Sequence, residues 1–128
     1  MAVDNRRRID GGSDFEARFA YSRALIDDHY VFVAGTTGYD YAAMTIATDP
    51  ASQARQCFRN IATALEGAGS SLGKIVRIRY ILTDRAFAEP CAVVFREFLG
   101  AHPPAATLII AQLLDEAMKV EIEVTATR

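Results

Sequence analysis

Two carboxylates near the C-terminus, Glu121 and Glu123, stand two residues apart in the run Lys119 to Ala126, whose β-branched, breaker-free composition predicts a strand. Strand side chains alternate, so both glutamates share one face while Val120, Ile122 and Val124 share the other, toward the helices. Two carboxylates on one partly buried face repel each other's charge, which raises one pKa and creates a general acid/base. Paired with cations, they would instead be structural ion pairs in a subunit interface. The cations for that second role are present. Arg77 and Arg79 alternate with Val76, Ile78 and Tyr80 along another predicted strand, Ile75 to Leu82. If the two strands are neighbours, cross-strand Arg–Glu contacts form a charged ladder. Alternatively, Arg77 or Arg79 reaches a cleft and offers its planar fork to a carboxylate.

Other chemistry-bearing groups are more isolated. Gly35 ends a strand at a point suited to close backbone approach by a ligand, with the hydroxyls of Thr36 and Thr37 beside it. Tyr39, Asp40 and Tyr41 form an aromatic–acidic cluster read as a surface loop, with a cleft rim as the other reading. His29 and His102 have no second metal-ligand type at a ligating spacing, so no metal site is expected. The sequence has no phosphate loop, dinucleotide fingerprint or nucleophile elbow. Cys57 and Cys91 fall at apolar positions of two predicted helices, with no histidine near either in sequence, and read as reduced core thiols of a cytoplasmic protein.

The elements that must position these groups follow from periodicity and punctuation. Tyr21 to Ala34 reads as two strands joined by a turn at Asp27 and Asp28, the second arm an apolar run (Tyr30 to Ala34) suited to burial on both faces. Gly35 to Gly38 reads as a glycine-flanked loop closing it. Asp49 caps a helix, Pro50 opens it, and the Gly67–Gly69 region stops it. Ala54, Cys57, Phe58, Ile61, Ala62 and Leu65 form its apolar face, opposite Arg55, Gln56, Arg59 and Asn60. A second helix carries Pro90 in its first turn and a stripe of Cys91, Val94, Phe95, Phe98 and Leu99, ended by Gly100 and Pro103-Pro104. Thr107 to Leu113 and Lys119 to Ala126 are the last two strands. The expected fold is α+β, two helices on one face of a mixed sheet. No helix remains for the other face, whose apolar surface must then be covered by another subunit.

At 128 residues and 51% hydrophobic, the chain fits one domain spanning 1–128, with 1–14 as an N-terminal extension or edge strand. A net charge of −2 and a pI near 5.6 give it no overall draw to nucleic acid or an anionic membrane. Arg6, Arg7, Arg8, Arg18 and Arg23 make the N-terminal stretch locally basic, read as a solvated edge or tail. No membrane-length apolar run and no signal-peptide pattern appears, so a cytoplasmic location is expected.

Several segments together resemble the RidA/YjgF family. Ala20-Tyr21-Ser22-Arg23-Ala24 is similar to its first tyrosine-bearing strand, and Val33-Ala34-Gly35 to its second strand, whose glycine turns backbone amides toward a ligand. Gln53-Ala54-Arg55-Gln56 with Asn60 and Ile61, then Ala68-Gly69, resembles its first helix and glycine stop. Pro104-Ala105 before a strand, and Val120 to Val124, resemble its C-terminal signature, so the likeness runs from about Phe19 to Ala126. The resemblance implies a chorismate-mutase-like fold, a homotrimer with ligand clefts between subunits, no metal or organic cofactor, and hydrolysis of enamines and imines to 2-oxo acids and ammonia. It implies that Glu121 orients or activates water and that Tyr21 shapes the cleft. Active members place a carboxylate-clamping arginine directly after the Pro-Ala pair. Here Ala106 and Thr107 occupy that part of the ligand site, and neither these nor Leu108 can imitate a guanidinium. Three readings follow: a cleft protein acting on or binding a carbonyl, imine or enamine metabolite; a non-catalytic metabolite or protein-interaction module; or a deaminase using Arg77 or Arg79 as a replacement clamp. Ribonuclease action, another label used in the family, finds no basic stripe interleaved with aromatics to support it.

Overall fold

The computed structural model describes residues 6–128. Its main sheet runs, in spatial order, β1 (Arg7–Ile9), β2 (Ala24–Ile26), β3 (Tyr30–Thr37), β8 (Val120–Thr127), β6 (Ile75–Leu82) and β7 (Ala105–Ile110). Every pairing is antiparallel except β6 with β7, so the sheet is mixed. A two-stranded ribbon of β4 (Tyr39–Asp40) and β5 (Thr45–Ile46) stands apart. Of the N-terminal stretch expected as extension or edge strand, residues 1–5 lie outside the described part, while β1 is indeed an edge strand on β2.

The two amphipathic helices form where capping and periodicity require. The Asp49 carboxylate accepts the Ser52 N–H at 2.9 Å to cap α2 (Pro50–Gly67), and Pro50 opens it. Helix α3 (Ala88–Leu99) carries its stripe against α2 and β6, where Phe95 stacks on Tyr80 at 3.9 Å and Phe98 on Phe58 at 4.8 Å between ring centroids. Val120, Ile122 and Val124 of β8 are buried beneath α2, as their alternation predicts. Cys57 and Cys91 are free and buried in this core. A third helix, the single-turn α1 (Asp14–Arg18), follows the N-terminal segment and is not among the elements expected from the sequence.

Four expectations about elements need correction. Tyr21 precedes β2, which starts at Ala24. Within one chain the run Tyr30 to Ala34 is covered on one face only: Val31 and Val33 are buried, but Tyr30 and Phe32 stand 41% and 43% exposed on the face opposite α2 and α3. Gly35 to Gly38 is not simply a loop, because β3 continues through Thr37 beyond a bulge between Val33 and Thr36. Val76 does not share the inward face with Ile78 and Tyr80; a register shift between Ile75 and Arg77 turns it outward and puts Ile75 in the core.

Candidate functional site

The bulge in β3 builds the site. Val33 pairs with Val124 and Thr36 with Ile122, so one extra residue of β3 is accommodated opposite Glu123, in the Ala34–Gly35 stretch. An inserted residue breaks the ladder and re-aims the chain. Gly35 thereby comes close to the Glu121 side chain: a Cβ at this position would lie 2.9 Å from the Glu121 Cδ. The close approach expected of Gly35 is therefore to a carboxylate of the same chain, and glycine is what leaves room for it.

A disrupted ladder leaves a carbonyl without its strand partner, which must be satisfied some other way. Arg23 supplies the donor. Its Nη1 donates to the Gly35 carbonyl at 3.1 Å and to Thr36 Oγ1 at 2.6 Å, and Nη2 donates to the Tyr21 hydroxyl at 3.1 Å. The guanidinium also sits 5.5 Å from the Tyr21 ring centroid and 5.4 Å from that of Tyr41. Arg23 is thus not a solvated residue of a basic tail; it is 3% exposed, and its Nε is buried without a hydrogen-bond partner. Thr36 is likewise removed from any ligand: it is 0% exposed, and its hydroxyl is shared between Arg23 and the Ala34 carbonyl.

Glu121 opens into a cavity of about 310 Å³ together with Tyr21, Gly35 and Tyr41. Its apolar walls come from Phe15 and Phe19, at and just after α1, and from Leu114 and Met118 in the segment before β8. Both wall segments are anchored by buried polar side chains. Glu16 accepts the backbone N–H groups of Gly11 (2.9 Å), Ser13 (3.1 Å) and Arg23 (3.0 Å), tying α1 to the segment that carries Arg23. Gln53, fully buried on α2, donates to the Ala47 and Ala117 carbonyls at 2.7 and 2.8 Å and accepts the Lys119 N–H at 2.8 Å. Gly38 lets β3 cross that helix, since a Cβ there would meet the Gln53 backbone at 2.7 Å. Tyr39 is buried and donates to Asp115 at 3.3 Å, so the Tyr39–Tyr41 cluster is no plain surface loop, and Tyr41 lines the cavity.

The electrostatics single out Glu121. Burial pushes its pKa above the ordinary carboxylate value, the neighbouring Glu123 pushes the same way, and Arg23 opposes both. No donor among the described residues forms a hydrogen bond to its carboxylate. The Tyr21 hydroxyl is also shifted up, by burial first, against the pull of Arg23. Glu123 differs: Arg79 Nε meets its Oε1 at 3.0 Å, the one Arg–Glu rung of the expected ladder that forms. Arg77 instead pairs with Thr125 across β8 and donates to the Thr107 hydroxyl on β7.

Arg77, Arg79 and Glu123 line a second, adjacent cavity of about 510 Å³ on the helix-free face of the sheet, which meets the first at Ala34 and Glu123. The structure therefore brings Glu121, Tyr21 and Gly35 together, sets Arg77 and Arg79 next door, and buries Thr36. Ala106 and Thr107 lie on β7, on the far side of β6 from β8, and line neither cavity within one chain. Arg23 and Gln53 are the residues that sequence reasoning missed. The bulge that gives Arg23 its role leaves no mark in a single sequence beyond a glycine, and Gln53 sits at a helical position that shares a face with Ala54 and Cys57. Among the described residues no group of His, Cys, Asp or Glu is placed to hold a metal, and no helix is long and apolar enough to cross a membrane.

A mixed sheet carrying two long helices on one face, with a carboxylate cleft at a bulge on the other, defines a class of small α+β proteins. Comparison with known sequences and structures identifies it further. The family model described as Endoribonuclease L-PSP matches residues 11–128. The chain is 28% identical over its whole length to an uncharacterised protein of Streptomyces coelicolor, covering 96% of that protein. It is 22% identical to human 2-iminobutanoate/2-iminopropanoate deaminase, covering 83% of this chain and 78% of that one. A crystal structure of a YjgF/YER057c/UK114 family member from Mycobacterium tuberculosis superposes with a TM-score of 0.87 at 33% identity, covering 96% of this chain and 99% of that one. The chain belongs to the RidA/YjgF family, the Endoribonuclease L-PSP family of the sequence model.

Proposed function

We propose that the Glu121 cavity takes a small imine or enamine metabolite and hydrolyses it to a carbonyl compound and ammonia. As water attacks the imine carbon, one of its protons passes to Glu121 and from there to nitrogen, giving a carbinolamine; the remaining hydroxyl proton follows the same route to nitrogen, the C–N bond breaks as the carbonyl forms, and ammonia leaves. An enamine enters the same path once its carbon is protonated, a step suited to a carboxyl whose pKa is raised. The observation that carries the reading is the Glu121 carboxylate itself: it faces the cavity beside Gly35, is shifted up by burial, and is left without a protein donor among the described residues, so its oxygens are free to hold water. The deaminase relatives support the reaction class. Hydrolysis of 2-imino acids is not carried over, because Ala106 stands where the family's clamp belongs.

The same reading makes the protein a cytoplasmic homotrimer with its cleft completed at subunit interfaces. Tyr30 and Phe32, exposed on the helix-free face, support burial of that face by another copy. The test is ammonia release from a panel of imines generated in situ. Glu121→Gln is expected to lower turnover by about 100-fold or more. No release above the uncatalysed rate across the panel overturns the enzymatic reading, and light scattering at the mass of one chain overturns the trimer.

A non-catalytic binding module is the second reading. It requires ligand-dependent thermal stabilisation without turnover. A replacement clamp would need Arg79, which reaches the shared wall at Glu123, to leave that carboxylate for a ligand's.

A further inference from the structure

The geometry points to a second ligand site behind the bulge, a cavity that takes a small neutral molecule bearing a carboxamide or ureido group. This third cavity, of about 210 Å³, lies between α2, the end of β1 and the turn that joins β4 to β5. It stands on the α2 side of the sheet, opposite the face proposed to meet another copy, and it does not depend on the role given to Glu121. Tyr41 lines both this cavity and that of Glu121, whereas Arg23 lines this one and not the other.

The donor in this cavity is what Arg23 has left over. Its Nη groups turn toward the bulge, to Gly35, Thr36 and Tyr21. The Nε N–H remains, on a side chain that is almost wholly buried, without an acceptor among the described residues. A buried donor of a charged group is costly to leave unmet, so an acceptor from outside the chain is favoured there. Gly11 keeps the flank of this side chain bare, since a Cβ at that position would lie 3.0 Å from Arg23 Cγ. The acceptors stand at the mouth, on the exposed Asp10 and Asp40. Asp10 Oδ1 takes the Gly12 N–H, and Asp40 Oδ1 takes those of Ala42 and Ala43. The second oxygen of each has no donor among the described residues. The guanidinium inside opposes a cation, and the two carboxylates opposes an anion no less. A primary amide suits both, its carbonyl accepting from Nε and its NH₂ donating to an aspartate. Ile9 and Ala64 offer apolar wall to a short alkyl body, in a space several times the roughly 30 Å³ that one water occupies.

Nitrogen-15 NMR of the full chain, titrated with propionamide, propionate and propylammonium, tests the site and its class. Propionamide is expected to shift the Arg23 Nε–H resonance together with the Gly11 and Ala64 amides, saturating in the millimolar range. The two charged probes should bind at least tenfold more weakly. Asp40→Asn, whose amide oxygen can still accept the Ala42 and Ala43 N–H groups, should weaken propionamide about tenfold. Ala42→Trp, at the exposed mouth, should abolish the shifts by filling it. Propionate or propylammonium binding as tightly as propionamide overturns the ligand class. Shifts confined to Tyr21, Gly35 and Glu121, or shifts that survive Ala42→Trp, place the amide elsewhere and overturn the site. No response to any probe at about 100 mM, with the Nε–H in contact with water alone, also overturns it and leaves a cavity that is merely hydrated. None of these outcomes bears on imine turnover, which is read separately as ammonia release.

Discussion

Glu121 and Glu123 leave the same strand on the same face, two residues apart, yet they occupy different environments. Glu123 meets Arg79 across β6 at 3.0 Å, with both side chains nearly half exposed. It is an ordinary surface ion pair, of a kind worth about 0–1 kcal/mol. Glu121 sits under the β3 bulge, crowded by Gly35, without an ion-pair partner among the described residues and shifted up in pKa by burial. The strand treats the two residues alike; their neighbours do not. A cross-strand arginine in register pairs one carboxylate, and its absence one rung further along leaves the other without an ion-pair partner among the described residues.

The arginines behind the two sites give the sharpest way to break the comparison. Arg23 supports the Glu121 side from within, and Arg23→Met would strip donors from the Gly35 carbonyl and the Tyr21 hydroxyl. A loss of about 3 kcal/mol is expected in urea denaturation, since buried acceptors left unmet cost about 1–3 kcal/mol each. An unchanged midpoint would mean that the bulge does not depend on this residue.

The next largest effect is on pH dependence. Because the folded-state pKa of Glu121 is raised, its basic form appears only above the ordinary glutamate range, and turnover should fall on the acid side of that raised value. Glu123 contributes to the rise by like-charge repulsion, so Glu123→Gln should move the acid limb of the pH–rate profile to lower pH. A limb that stays in place, or moves up, would uncouple the two carboxylates. Smallest of all is Arg79→Ala, which removes an exposed ion pair and should cost less than about 1 kcal/mol of stability. A larger loss would make the second cavity a structural element in its own right.

Much of this was legible beforehand. The alternation of Val120, Ile122 and Val124 against Glu121 and Glu123 fixed the facing of β8, because strand geometry has period two whatever the surroundings. Asp49-Pro50 and the apolar stripe of α2 fixed the long helix in the same local way. The strand β6 came out at its expected limits, but not the outward turn of Val76, which a register shift against β8 imposes. Glu121 and Tyr21 were named by type and resemblance; Thr36 was named by adjacency to Gly35 and is buried.

What the chain determined by itself was periodicity, capping and the face on which each side chain emerges, all of which depend on neighbours a few residues away. The tertiary structure decided which charge meets which. It turned Arg23 from a surface cation into the donor that closes a bulge twelve residues further along, and it gave Arg79 to Glu123 while leaving Glu121 without a partner. Those outcomes depend on the register between strands distant in sequence, where one inserted residue moves every later pairing, and local propensity carries no record of that insertion.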